Sequence, residues 1–218
     1  MKKIITGIID LFFENSCLIC NTASSNNILC KSCKEAIEQI PNKGKRSFKE
    51  IYVYSYGFYD GKLREAILAL KSGKKKLANY FSQKLITFWK EQSVTYKNLM
   101  VVPIPSHKNR IKERGYCQST LIARDFAFSI GQEFSSDFLV RIKETSFMNS
   151  LSNAQERIEN IKDAFKVNDL KSPKENILII DDILTSGSTM RESARTIHKK
   201  YPKLNLIGLT IATGDTYT

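Results

Sequence analysis

Two neighbouring carboxylates followed by a loop of hydroxyl side chains form the motif with the clearest chemistry in this 218-residue chain. Asp181 and Asp182 follow the apolar run 177–180. The loop after them consists of Thr185, Ser186, Gly187, Ser188 and Thr189. The backbone N–H groups of such a loop, with the positive end of a following helix, bind anions. Because carboxylates suit hydroxyls better than bare phosphate, the motif predicts a sugar-phosphate pocket. The alternative is an ordinary strand–turn–helix connection with two surface acids.

A second charged cluster follows the apolar stretch 99–104. Its members are His107, Lys108, Arg110, Lys112 and Arg114. Arginine gives permanently charged, bidentate contacts to phosphate oxygens, so this loop is a candidate for binding a phosphorylated ligand. The alternative is a solvated run of charge.

Four cysteines near the N-terminus form two CxxC pairs, which are separated by nine residues: Cys17 with Cys20 and Cys30 with Cys33. Each pair can place two thiolates on one ion from a tight turn, and two pairs complete a tetrahedron around Zn²⁺. Because four cysteines leave no open coordination position, we predict a structural zinc. A redox dithiol or disulfides are the alternatives, although no βαβ setting or secretion signal supports them. Cys117 is predicted to be a free thiol.

Alternating strand and helix patterns must position these motifs. Strands are predicted at 51–58, 99–104, 138–142, 164–167, 177–180 and 204–212. Helices are predicted at 63–71, 77–91, 119–130, 153–161 and 189–200. The alternation predicts an α/β fold with a mainly parallel sheet flanked by helices. Ligands of such sheets bind at the carboxyl ends of the strands, so the loops after residues 58, 104 and 181 should border one cleft.

Length and composition predict one domain with a small N-terminal module. Residues 1–40 are assigned to a helix and the zinc module, 41–50 to a polar linker, and 51–218 to the main domain. The first residues imitate a signal peptide, but Asp10 interrupts the apolar run and no cleavage site follows. The apolar face of this helix is expected to pack on the protein, with docking to a membrane surface or a partner as the alternative. No stretch approaches 18 apolar residues, so no transmembrane segment is expected.

The net charge of +12 is unevenly distributed. One basic cluster consists of Lys43, Lys45, Arg46 and Lys49, and a second of Lys71, Lys74, Lys75 and Lys76. The cationic loop that begins at His107 is the third. Clustered charge favours a polyanionic partner, whereas solubility alone is the alternative explanation.

The motif at 177–190 resembles that of type I phosphoribosyltransferases, which bind phosphoribosyl pyrophosphate (PRPP). Along its whole length the chain resembles the competence protein F (ComF) family. The resemblance rests on the two CxxC pairs, residues 56–71, VPIPSHKNRIKERGYCQS (102–119), LSNAQERIENIKDAF (151–165) and IDDILTSGSTM (180–190). The chain departs from the family at Cys117, where Asn is common, and at Met148, which replaces a usual Gln.

The resemblance implies roles for the motif residues and a cellular setting. Asp181 and Asp182 would contact the ribose hydroxyls, and 185–189 would hold the 5-phosphate. From the cationic loop itself, and from Lys71, we predict pyrophosphate ligands at His107, Lys108, Arg110, Arg114 and Lys71, with Mg²⁺ bridging pyrophosphate and ribose oxygens in the enzyme hypothesis. The family also implies cytoplasmic action in natural transformation, with single-stranded DNA and a DNA-uptake helicase or processing proteins as partners. Mg²⁺-dependent phosphoribosyl transfer and a non-catalytic PRPP sensor or nucleic-acid-binding module both stay open, since no aromatic cluster marks an acceptor pocket.

Overall fold

The computed structural model describes residues 16–24, 28–40, 44–92, 96–144, 154–170, 172 and 174–214. The predicted N-terminal helix, Lys43 and Met148 lie outside this part of the chain. The helices are α1 (Lys31–Glu38), α2 (Gly61–Lys71), α3 (Lys76–Glu91), α4 (Lys108–Arg114), α5 (Gln118–Ser129), α6 (Ala154–Ile161) and α7 (Ser188–Lys200). The strands are β1 (Gly44–Ser47), β2 (Tyr52–Phe58), β3 (Leu99–Pro103), β4 (Glu133–Phe134), β5 (Leu139–Arg141), β6 (Phe165–Val167), β7 (Asn176–Leu184) and β8 (Asn205–Thr213).

Six strands form one sheet in the order β1-β2-β8-β7-β3-β4. Every neighbouring pair is parallel except β1 with β2. The carboxyl ends of β2, β3, β7 and β8 therefore lie at the same edge, as the alternating pattern predicted. The strands β5 and β6 form a separate antiparallel pair, so the predicted strands 138–142 and 164–167 exist but lie outside the main sheet.

The apolar run of β7 is buried on both faces of the sheet. Leu178 and Ile180 pack in a cluster with residues of α2, α3 and α5. Ile177 and Ile179 pack in a second cluster, which includes residues of α7 such as Ile197. Successive side chains of a strand point to opposite faces, so a strand between two helical layers must be apolar at every position. The predicted fold class, a mainly parallel sheet flanked by helices, is confirmed.

Besides α1 and β4, which were not predicted, three elements differ from the sequence prediction. The strand β7 continues through the acidic pair to Leu184, because its backbone stays paired with β8, where Asp181 lies opposite Thr210. Residues 44–47, within the segment predicted as a linker, form the edge strand β1, whose polar sequence GKRS suits a sheet edge. Residues 108–114, predicted as a loop, form α4, which has no buried residue and so no apolar periodicity to reveal it.

The cysteine-containing segment shares its apolar core with the main sheet. Cys17, Cys33 and Ile37 lie in the same buried cluster as Leu63 and Ile67 of α2. Each of these five side chains is at most 2% exposed. The packing of α1 on α2 therefore couples the N-terminal segment to the rest of the fold. Within the described residues, no helix is long and apolar enough to cross a bilayer.

Candidate functional site

The two carboxylates lie near the carboxyl end of β7, and each has a defined partner. Asp181 Oδ1 accepts hydrogen bonds from Ser119 Oγ and from the backbone N–H of Asp182, both at 2.9 Å. Asp182 Oδ2 lies 2.8 Å from Lys71 Nζ. Lys71 ends α2 and Ser119 lies in the first turn of α5, so three elements meet at the acidic pair.

The acidic pair is electrostatically unusual. Burial raises the pKa of Asp181 to about 7, and the charge of Asp182 adds to this shift. The hydrogen bonds to Asp181 and the charge of Lys71 act in the opposite direction but are outweighed. Burial works against the charge of Lys71, yet the carboxylate of Asp182 prevails and raises the pKa of Lys71. A carboxyl group with a raised pKa is a common feature of functional sites.

The loop after β7 has the geometry of an anion-binding turn. Residues 185–187 bend, and α7 begins at Ser188 with Gly187 as its N-cap at a φ of +76°. Gly187 has no side chain to occupy the first N–H groups of the helix, and the first turn holds no acidic residue. The hydroxyls of Ser186 and Ser188 lie 3.1 Å apart and add donors to the turn. Such a helix start attracts a phosphate group through its N–H groups and its dipole.

The cationic segment 107–114 borders the acidic pair as a helix. Arg114 Nη1 lies 3.4 Å from Gln118 Oε1 and so contacts the start of α5. Burial lowers the pKa of Arg110, and Arg114 lowers it further, whereas Glu113 and Asp182 act in the opposite direction. Arg110 is therefore close enough to the acidic pair for Asp182 to influence its charge.

His107 has a structural contact that the sequence did not suggest. Its Nδ1 accepts the backbone N–H of Asn109 at 3.3 Å, so the side chain caps the start of α4. The same nitrogen lies 3.7 Å from Glu144 Oε1. Lys108, the first residue of the helix, is exposed.

Individual residues of the basic clusters reach the acidic pair, the turn 185–187 or the segment after α4. Lys75 Nζ lies 4.9 Å from the ring centroid of Tyr116, which joins the second cluster to the segment after α4. Arg46, from the first cluster, donates a hydrogen bond from Nη1 to the carbonyl oxygen of Thr185 at 3.2 Å. Lys71 contacts the acidic pair directly. Residues far apart in sequence thus concentrate positive charge beside the anion-binding turn.

Two residues near the acidic pair were missed by sequence reasoning. Ser119 lies in the block that carries the family resemblance, but nothing in its type indicated a bond to Asp181. Burial lowers the pKa of Arg141 to about 10; Arg110 acts in the same direction, and Asp181 opposes it. Arg141 ends β5, and its guanidinium lies 5.6 Å from the ring centroid of Phe165 on β6. Since the small β5–β6 sheet is remote from the motif in sequence, no local pattern indicates this arginine.

The four N-terminal cysteines converge on one point. Their sulfur atoms all lie within 4.8 Å of one another, and the Sγ atoms of Cys20 and Cys30 are 3.5 Å apart. A tetrahedral zinc with bonds of about 2.3 Å spaces its sulfur ligands by about 3.8 Å, whereas a disulfide needs about 2.05 Å. The group therefore fits a zinc ion, and all four cysteines are free thiols. Cys117 is also free, as predicted, and its buried Sγ lies 3.7 Å from the carbonyl oxygen of Ile104.

Three curated bacterial proteins are similar to this chain in sequence. Competence protein F of Haemophilus influenzae is 29% identical over 101 residues, which cover 45% of this chain and 44% of that protein. The DNA utilization protein YhgH of Salmonella typhi is 32% identical over 97 residues, covering 44% and 42%. Competence protein ComFC of Bacillus subtilis is 24% identical over 201 residues, covering 89% and 76%. The predicted resemblance to competence proteins is confirmed, although the chain spans less than half of the first two relatives.

Comparison with solved structures finds phosphoribosyltransferases. A Thermoanaerobacter pseudethanolicus adenine phosphoribosyltransferase matches 82% of this chain and 99% of its own, with 15% identity and a TM-score of 0.36. No family model matches the chain.

Proposed function

We propose that this chain is a cytoplasmic competence protein that binds PRPP and assists the uptake of single-stranded DNA in natural transformation. The observation that carries the proposal is the acidic pair in front of the turn 185–187, with Lys71 in contact with Asp182 and Arg110 within the electrostatic influence of Asp182. Carboxylates accept hydrogen bonds from sugar hydroxyls, while the turn and the cations take phosphate groups. A phosphorylated pentose with a second phosphate group satisfies all three.

The proposed ligand contacts follow the arrangement of the site. Asp181 and Asp182 accept the ribose hydroxyls, and the backbone and hydroxyls of 185–189 hold the 5-phosphate. Pyrophosphate would lie toward α4 and the end of α2, against Lys71, His107, Lys108, Arg110 and Arg114. Mg²⁺ prefers hard oxygen ligands, and if it bound with PRPP it would neutralise part of the phosphate charge.

Phosphoribosyl transfer is the reaction that this site would perform. The bond between ribose C1 and the pyrophosphate oxygen breaks, and its electron pair leaves with pyrophosphate. A nucleophile forms the new bond to C1 and gives up its proton. Arg110 and Arg114 would stabilise the charge that develops on pyrophosphate, because fixed cations in a partly buried site need no rearrangement.

A non-catalytic PRPP sensor is the second candidate. It is favoured by Cys117, whose thiol lies against the carbonyl oxygen of Ile104 where the resembling family commonly carries Asn. A thiol is a weak hydrogen-bond donor and acceptor, so it replaces few of the contacts that an amide would offer an acceptor molecule. In this alternative, PRPP binding would regulate contact with DNA, a helicase or a processing protein.

Titration calorimetry with PRPP and Mg²⁺ tests the pocket before any question of chemistry. Wild type should bind, and Asp181→Ala combined with Asp182→Ala should weaken binding at least tenfold without unfolding the protein. Glu35→Ala with Asp125→Ala, which removes two carboxylates elsewhere, should bind like wild type. Wild-type affinity in the double variant at 181 and 182 would refute the site. Pyrophosphate release from PRPP, assayed with and without single-stranded DNA, then separates an enzyme from a sensor.

A further inference from the structure

An aromatic ring from outside the motif lies directly on the anion-binding turn. Phe48 follows β1, and a Cβ atom built on Gly187 would lie 2.4 Å from Phe48 Cζ. No real side chain could enter that space while the ring stays in place. Gly187 also has a φ of +76°, a conformation that favours glycine. The glycine of the turn is thus required by a neighbouring side chain as well as by its own backbone.

Two guanidinium groups accompany this ring. The Cζ atom of Arg46 lies 5.0 Å from the ring centroid of Phe48, and that of Arg191 lies 5.7 Å from it. Arg46 also donates its hydrogen bond to the carbonyl oxygen of Thr185, the first residue of the turn. The ring of Phe48 therefore contacts two guanidinium groups. That of Arg46 is hydrogen-bonded to the turn, and that of Arg191 belongs to α7.

The backbone fixes Phe48 in this position. Its N–H donates to the carbonyl oxygen of Ile51 at 2.9 Å, and the N–H of Ile51 donates back at 3.4 Å. The turn from β1 to β2 is thereby closed, and β1 pairs with β2 through four residues. Phe48 is consequently attached to the sheet itself, so it can serve as a fixed support for a loop on a different part of the chain.

We propose that Arg46 and Phe48 are positioning residues that brace the anion-binding turn for a phosphate group. An anion site binds well when its N–H groups are held in place before the ligand arrives, because ordering them on binding costs affinity. Phe48 blocks collapse of the turn at Gly187, and Arg46 fixes the direction of the carbonyl oxygen of Thr185. The inference rests on the proposed function, since it concerns the same phosphate position.

Binding and stability measured on matched variants separate bracing from ordinary packing. Phe48→Ala and Arg46→Ala should each weaken PRPP–Mg²⁺ binding about tenfold, with Tm lowered by only a few degrees. Phe48→Tyr, which keeps the ring and its cations, should restore binding, whereas Phe48→Leu should restore Tm more than affinity. Phe128→Ala, at a phenylalanine that is 72% exposed, is the control and should change neither quantity. Unchanged affinity in both alanine variants would overturn the brace.

A second measurement does not depend on PRPP. Gly187→Ala should lower Tm strongly in wild type, where the new methyl group meets the ring, and much less in the Phe48→Ala background, where only backbone strain is left. Inorganic phosphate, used as a simpler probe, should lose affinity in parallel with PRPP. If wild type bound neither anion, the proposed function would fail, and the Tm cycle alone would decide the brace. Equal Tm losses in the two backgrounds would then overturn it.

Discussion

Asp181 is a carboxyl group whose pKa is raised into the neutral range by burial and by the charge of Asp182. Its pKa is raised to about 7, so the protonated form is favoured in the folded state relative to the unfolded chain. The stability that this shift contributes is fully present below the ordinary aspartate pKa of about 3.9, and it is lost as the pH rises through about 7. At pH 8 the folded protein therefore carries a buried charge that it does not carry at pH 5.

Asp181→Asn should remove this pH dependence. The variant should melt several degrees above wild type at pH 8, because one pKa unit is worth about 1.4 kcal/mol and about 1 kcal/mol moves Tm by roughly 2–4 °C in a chain of this size. At pH 5 the gain should be only about a third as large, because about one of the roughly three pKa units of the shift has been lost at that pH. Scanning calorimetry between pH 5 and 8.5 measures this difference.

Two further variants check the cause of the pH dependence. Ser119→Ala removes a hydrogen bond that favours the carboxylate form of Asp181. The pH at which Tm falls should therefore be higher in this variant than in wild type. Asp125→Asn removes a carboxyl group that lies away from the acidic pair and should leave the profile unchanged. A Tm gain for Asp181→Asn that is the same at both pH values would contradict a raised pKa.

At the scale of elements, the sequence predicts the helices and strands that bury a periodic apolar face. The helices predicted at 63–71, 77–91 and 119–130 agree with α2, α3 and α5 within two residues at each end. The edge strand β1 and the helix α4 were missed because their side chains are mostly polar and α4 buries none of them. Apolar periodicity reports burial, so elements that bury little are invisible to it.

The parts of the candidate site that are contiguous in sequence could be predicted. The acidic pair and the turn 185–189 form one run, whose order along a strand and a helix start follows from local rules. The contact between Arg46 and Thr185 joins residues 139 positions apart, and Ser119 reaches Asp181 across 62. Such contacts depend on strand order and on side-chain direction, and neither is encoded in local composition.

The cysteine module should lose its metal and its packing together. Cys17→Ser removes one of four converging thiols, so the protein should lose about one equivalent of zinc. Tm should fall as well, because Cys17, Cys33 and Ile37 share their buried cluster with Leu63. Metal analysis and scanning calorimetry measure the two effects. Cys117→Ser changes a buried thiol outside the group of four and should keep its zinc. The absence of zinc from wild type would contradict the prediction.

At the scale of the whole molecule, part of the positive charge surrounds the acidic pair at the carboxyl edge of the sheet. The chain carries a net charge of +12, and its three basic clusters contact the acidic pair, the anion-binding turn or the segment after α4. The opposite edge, where the parallel strands begin, also carries exposed lysines, including Lys97, Lys199 and Lys203. A specific DNA surface next to the proposed PRPP site can therefore be distinguished from net charge by neutralising equal numbers of lysines at the two edges.

Replacement of Lys74, Lys75 and Lys76 by Ala should weaken single-stranded DNA binding and reduce its dependence on salt. Each phosphate contact to a single strand contributes about 0.7 to the slope of log affinity against log salt concentration, so loss of three contacts should lower the slope by about 2. Fluorescence anisotropy with a labelled oligonucleotide at several salt concentrations gives both quantities. Alanine at Lys97, Lys199 and Lys203 makes the same change in net charge and should leave most of the affinity. Equal losses in the two triple variants would mean that DNA responds to total charge, and the proposed PRPP site would then lie beside no dedicated nucleic-acid surface.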